Sequence, residues 1–135
     1  MEAIILSVGT ELTLGQTVDT NTAWLSQRLA EAGVPVLMHI TVPDELAPLQ
    51  REIEEACRLA DVVLVSGGIG PTEDDLTRQA LAAAMGVEVE FRPQWVERIR
   101  AFFTARGRDM PEANLVQAMF PFGSEAIRRV ATAWW

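Results

Sequence analysis

Three short apolar runs, none carrying a formal charge, constrain this chain more than any other feature. They are Ala3 to Val8, Val34 to Val42 and Val62 to Ser66, each rich in Val, Ile or Leu. A strand buried on one face alternates apolar with polar, whereas a strand buried on both is apolar throughout. Helical patterns separate the runs. Asp19 or Thr20 can cap a helix through Ala32, with Leu25, Leu29 and Ala32 on one face and Gly33 as its stop. After Pro43-Asp44-Glu45, apolar residues recur at helical spacing as Leu49, Ile53, Ala56 and Cys57, which places Cys57 in the core. The order strand, helix, strand, helix, strand predicts an α/β protein with a parallel sheet covered on both faces.

The remainder continues the pattern. Thr10 to Val18 reads as a loop and Thr72 to Met85 as a third helix closed by Gly86. Val87 to Phe91 follows as a short strand. Trp95, Val96, Ile99, Phe102 and Phe103 mark the buried face of a fourth helix, as core or subunit interface. Pro111 to Met119 is expected to be a short helix, and Pro121 to Ser124 a turn. With no repeat or linker, the 135 residues are expected to form a single domain, 1–135.

Charge narrows the partners. The net charge is −8 and all eleven basic residues are arginine, which argues against nucleic acid, bound through cationic neutralisation of phosphates. A small phosphorylated ligand meets the same repulsion unless backbone amides or a divalent cation receive it. No apolar run approaches the ~18 residues that span a bilayer, so no membrane partner is expected. The first residues lack the basic stretch of a signal peptide. One cysteine allows no internal disulfide, and the expected compartment is the cytoplasm. His39 has no second His or Cys near it, which speaks against zinc, and one histidine gives no basis for a Ser-His-Asp arrangement.

The strongest local signal follows the third run: Ser66-Gly67-Gly68-Ile69-Gly70-Pro71-Thr72-Glu73-Asp74-Asp75. A strand, a glycine cluster and a helix start place free N–H groups at the C-terminal edge of the sheet, where anions and ligands of open α/β sheets bind. Gly67, Gly68 and Gly70 lack the Cβ atoms that would hold a phosphate away from the backbone. The loop is neither a Walker loop nor a GxGxxG fingerprint. Two readings of its acids stand side by side. Thr72 and Asp75 fit a helix capping box; alternatively Asp74 and Asp75 hold Mg²⁺ or another divalent cation beside the phosphates. The loop after the first run emerges at the same edge, so Thr10, Glu11, Asp19 and Asn21 are candidate ligand contacts, with Asp19-Thr20-Asn21 equally readable as an N-cap cluster. Asp44 reaches that edge too, as a turn and cap or as part of the site.

Ser7-Val8-Gly9-Thr10-Glu11-Leu12, Gly15, Asp19-Thr20-Asn21 and Gly67-Gly68-Ile69-Gly70-Pro71-Thr72-Glu73-Asp74-Asp75-Leu76-Thr77 together resemble the amino-terminal domain of the CinA (competence/damage-inducible) family, of the molybdopterin-binding fold. Asn114, Gln117-Ala118 and Pro121-Phe122-Gly123-Ser124 extend the resemblance in order across nearly the whole chain. The resemblance implies a three-layer α/β/α sandwich with a mostly parallel (mixed) sheet, and a homo-oligomer, dimer or trimer. It implies either metal-dependent hydrolysis of ADP-ribose to AMP and ribose 5-phosphate, or binding of molybdopterin without turnover. A shortened homologue that keeps only fold and oligomer interface is a third reading. By the same resemblance Asp75 takes a catalytic or metal-linked position and Asp44 a second acidic one. Asp44 is then the expected general base. Ser66, Gly67, Gly68, Gly70, Pro71 and Thr72 hold the ligand. Family members usually continue into an Asn-x-x-Gly-Thr-Ala-Pro-Gly segment and often a separate deamidase domain. Here the corresponding stretch reads Arg128 to Trp135, so a C-terminally shortened domain without deamidase activity is expected.

Overall fold

The computed structural model describes residues 1–127; Arg128 to Trp135, including both terminal tryptophans, lie outside the described residues. In chain order the elements are β1 (Ala3–Val8), α1 (Thr10–Thr13), α2 (Thr20–Glu31), β2 (Val36–Val42), α3 (Leu46–Leu59) and β3 (Val62–Ser66). Then come α4 (Thr77–Met85), β4 (Val89–Phe91), α5 (Pro93–Thr104), a 3-10 helix (Glu112–Ala118) and β5 (Met119–Pro121).

The three apolar runs form one parallel sheet in the order β2-β1-β3. Ser7 of β1 lies opposite Thr41 on one side and Ser66 on the other. Every residue of β1 is buried, as expected of a central strand covered on both faces. Its alternation sorts the layers. Ile4, Leu6 and Val8 point to one face and pack with Leu49, Ile53 and Ala56 of α3 and Ala80 of α4. Ser7 points to the other, where its hydroxyl meets Thr22 of α2. Helices therefore cover opposite faces and give the three-layer α/β/α arrangement. Leu49 and Ile53 are fully buried, each contributing roughly 1.5–3 kcal/mol relative to an exposed side chain.

Several boundaries differ from the sequence expectation. The loop after β1 contains a helical turn, α1. The outer strand β2 leaves Leu37 and Met38 exposed, because a strand at the sheet's edge has one neighbour and less cover. Cys57 is exposed, not core. The buried face of α3 runs through Leu49, Ile53 and Ala56, and Cys57 sits one residue, about 100°, beyond it. It lines a groove of about 300 Å³ beside β3 with Ile53, Val63, Leu81 and Met85. Helix α4 begins at Thr77, five residues later than the Thr72 start, for a reason given below, and ends on Gly86 in the left-handed conformation. The Pro111–Met119 stretch is a 3-10 helix that runs into β5, a strand absent from the sequence reading. β5 pairs antiparallel with β4 as a separate two-stranded ladder. Arg92 ties this region together, donating to the Ser124 carbonyl at 2.8 Å and lying over Phe120.

Candidate functional site

The strand order decides where a ligand can sit. From β1 the chain passes through α2 to β2; from β2 it returns through α3, past β1, to β3. The segments leaving β1 and β3 therefore turn to opposite faces of the sheet. Between two loops that diverge this way a crevice must open at the C-terminal edge of the strands. The structure has a cleft of about 210 Å³ there, lined by Ser7, Glu11, Asp19, Asn21, Ser66 and Gly67, with Val8, Leu12 and Val18 as apolar wall. Of the residues expected from sequence, Glu11, Asp19, Asn21, Ser66 and Gly67 are brought together here. Asn21 reaches Ser66 across the cleft, its Nδ2 donating to the hydroxyl at 3.5 Å.

Asp19 is the N-cap of α2 and also part of the cleft wall. Its carboxylate accepts from the Thr22 amide at 2.9 Å and from the Thr22 hydroxyl. Ser7 lies 2.6 Å from that hydroxyl. Burial pushes the Asp19 carboxyl up, but hydrogen bonds from Ser7 and Thr22 and the nearby His39 outweigh it and hold it below the ordinary value. Ser7, which lines the cleft, and Thr22, which holds Asp19 without lining it, are not among the residues expected from sequence. The signal was present: a serine in an otherwise apolar, fully buried strand must find a hydrogen-bond partner.

The glycine loop has two halves. In the first, Gly67 adopts φ +98°, and a Cβ there would be driven into the Val8 carbonyl. Glycine thus lets β3 turn away against β1. Thr77 donates to the Gly67 carbonyl at 2.7 Å, and among the described residues the amides of Gly68 and Ile69 donate to no other group. In the second half the amides of Gly70 and Thr72 are already occupied. Asp75 accepts from Gly70 N at 2.8 Å, Thr72 N at 2.8 Å and Thr72 Oγ1 at 2.7 Å. Thr72 therefore donates to Asp75 instead of capping a helix, and this closed turn delays α4 to Thr77. Behind it, the Arg78 guanidinium donates to the carbonyls of Ile69 and Gly70. Burial raises the Asp75 carboxyl, and the bonds from Thr72 and Gly70 with the Arg78 charge more than offset this, leaving it lowered. Arg78 is 9% exposed and its Nη1 has no partner among the described residues.

Gly68, Gly70, Pro71, Thr72, Asp74 and Asp75 lie on this loop without lining the cleft. Nor do Thr10 and Asp44, which pair with each other. Thr10 N donates to the Asp44 carboxylate at 2.8 Å, and Asp44 N donates to Thr10 Oγ1 at 3.1 Å. That pair fastens the loop after β1 to the loop after β2.

Among the described residues no group of three or more His, Cys, Asp or Glu converges as a metal cage. Mg²⁺ does not need one, since it binds through one or two carboxylates plus waters and substrate phosphates. Glu73 and Asp74 beside the glycine loop are exposed carboxylates, the donor type such a cation takes. No helix among the described residues is long and apolar enough to cross a membrane.

Comparison with known proteins agrees with this geometry. Residues 4–131 match the family described as "probable molybdopterin binding domain". A CinA-like protein of Thermomicrobium roseum is 45% identical over 118 residues, 87% of this chain and 29% of that protein. A CinA-like protein of Dictyoglomus thermophilum is 42% identical over 127 residues, 94% of this chain and 31% of that protein. The chain thus spans about a third of the length of the curated relatives it matches. Among solved structures, CinA from Thermoplasma acidophilum superposes with a TM-score of 0.82 at 28% identity, covering 90% of this chain and 71% of that one. The molybdopterin biosynthesis enzyme MoaB from Thermus thermophilus shares the fold, with a TM-score of 0.58 at 24% identity, covering 84% of this chain and 69% of that one.

Proposed function

This chain belongs to the molybdopterin-binding domain family, with CinA-type proteins among its relatives, and from that premise we propose that the crevice between β1 and β3 binds a phosphorylated ligand of pterin or nucleotide class. The observation that carries the reading is the position of the unoccupied Gly68 and Ile69 amides next to Gly67, at the cleft's edge. Backbone N–H groups of this kind receive phosphate without a cationic side chain, and among the described residues no Lys or Arg lines the cleft. The heterocycle then occupies the cleft. Asp75 acts by holding the glycine loop in shape. The test is a thermal-shift titration with inorganic pyrophosphate and with a pterin phosphate, with and without Mg²⁺. Stabilisation by both ligands, larger with Mg²⁺, is expected; no shift with either refutes the reading.

Hydrolysis of ADP-ribose to AMP and ribose 5-phosphate is the second reading, favoured by the exposed acids Glu73 and Asp74 beside the same amides. In it Asp74, with Asp75, holds the cation that accompanies the pyrophosphate. A bound divalent cation supplies a water of lowered pKa and neutralises the departing phosphate. Asp44, one oxygen of which accepts from Thr10 N, orients that water as general base. AMP release from ADP-ribose in Mg²⁺ tests it. Stabilisation by pyrophosphate without AMP release retains the binding reading and removes this one. Assembly into a homo-oligomer, dimer or trimer, belongs to the same proposal and is tested by sedimentation.

A further inference from the structure

Two adjacent glycines present their amides to a ligand only if something holds them. Glycine loses more conformational freedom on ordering than any other residue, so an unrestrained Gly67-Gly68 pair would turn its N–H groups away as readily as offer them. One residue restrains both peptides. The Thr77 hydroxyl donates to the Gly67 carbonyl at 2.7 Å, and the Thr77 amide donates to the Gly68 carbonyl at 3.0 Å. Thr77 is 1% exposed and opens α4. Gly68, at φ +63°, lets it come this close: a Cβ there would be driven into the Thr77 hydroxyl.

A trans peptide is planar, with its N–H pointing opposite to its C=O. The Gly67 carbonyl shares its peptide with the Gly68 N–H, and the Gly68 carbonyl shares its own with the Ile69 N–H. Gripping those two carbonyls therefore aims two N–H groups away from Thr77, and they are the two that have no partner among the described residues. A donor on the carbonyl also polarises the peptide and strengthens its N–H. The next peptide along shows the outcome. Arg78 donates to the Ile69 carbonyl, and the Gly70 N–H of that peptide donates to a carboxylate oxygen of Asp75 at 2.8 Å.

Resting on the reading that the Gly68 and Ile69 amides receive phosphate, we propose that Thr77 is the positioning residue of this anion cradle. Its hydroxyl sets the Gly68 amide and its main chain sets the Ile69 amide, while Thr77 itself stays buried behind the loop. The division has a consequence for substitution. Thr77→Val removes the hydroxyl at nearly the same shape and so releases only the Gly68 amide. Thr77→Ser keeps both holds.

Backbone NMR of the wild type and both variants, without ligand and titrated with inorganic pyrophosphate in Mg²⁺, tests this. Without ligand, Thr77→Val is expected to move the Gly67 carbonyl carbon and Gly68 amide resonances more than those of Ile69. With pyrophosphate, losing one oriented donor to a charged group should weaken binding about tenfold, and Thr77→Ser should bind like the wild type. Unmoved Gly67 and Gly68 resonances in a folded Thr77→Val protein overturn the proposal, as does a pyrophosphate affinity equal to that of the wild type. Should valine prevent folding, serine still decides: an affinity loss of about tenfold in Thr77→Ser shows that the hydroxyl is not the hold. A wild type whose amides do not respond to pyrophosphate sinks the phosphate reading alone, because the ligand-free resonances still report whether Thr77 orients the two peptides.

Discussion

Replacing Asp75 by asparagine separates a residue that shapes the loop from one that performs chemistry. The carboxylate receives three hydrogen bonds, from Gly70 N, Thr72 N and Thr72 Oγ1, at 2.8, 2.8 and 2.7 Å. An amide at position 75 keeps one acceptor oxygen and turns an NH₂ group toward N–H and O–H groups that need an acceptor. Hydrogen bonds to a charged group contribute about 1.5–3 kcal/mol each. The turn is half open to water, so the lower figure applies, and losing one or two bonds costs about 1.5–3 kcal/mol. Arg78 also loses the carboxylate that balances it, at 9% exposure. For a domain of this size 1 kcal/mol moves the melting midpoint by about 3–5 °C, so a fall of about 10 °C is expected. Urea unfolding and a thermal melt measure it. AMP release from ADP-ribose is assayed on the same preparations. If stability stays within about 0.5 kcal/mol of wild type, the loop-shaping role is refuted. Activity lost at unchanged stability would make Asp75 a purely chemical residue.

Three further outcomes are expected. Gly67→Ala must place a Cβ against the Val8 carbonyl at φ +98°; the left-handed backbone alone costs about 1–2 kcal/mol and strand displacement adds to it. A urea midpoint unchanged from wild type would contradict the close approach of β1 and β3. Asp19 and Asp75 both titrate below the ordinary value of 3.8 in the folded protein. Their stabilisation is therefore complete above the unfolded value and lost as pH falls through the folded one. Unfolding followed from about pH 5 to pH 2 should show that loss, with a shallower limb in Asp75→Asn. Cys57 is exposed, so a thiol reagent should modify it stoichiometrically in the native protein; modification only after denaturation would restore it to the core.

The layers of this fold were legible because both periodicities are written in the residues. Unbroken β-rich runs marked β1 to β3, and Leu49, Ile53 and Ala56 marked the buried face of α3. β5 was not legible: Met119–Pro121 is three residues long and becomes a strand only because β4 lies alongside it. Cys57 was misplaced because a residue 100° from the centre of a helix face is core or surface depending on the width of the covering sheet. Glu11, Asp19, Asn21, Ser66 and Gly67 share one cleft because polar and glycine residues after apolar runs collect at one edge of a parallel sheet.

The sequence by itself determined the α/β class, the glycine turn after β3 and the net acidic charge. These are local or compositional properties, carried by neighbouring residues whatever the rest of the chain does. Only the tertiary structure decided which amides are free. Asp75 folds back onto the amides of Gly70 and Thr72, while those of Gly68 and Ile69 have no partner among the described residues. It also decided that Asp19 accepts from the amide and the hydroxyl of Thr22 beside Ser7. Hydrogen-bond direction depends on which donors meet which acceptors, and the pairing of Ser7 with Thr22, 15 residues apart, exists only once α2 packs on β1.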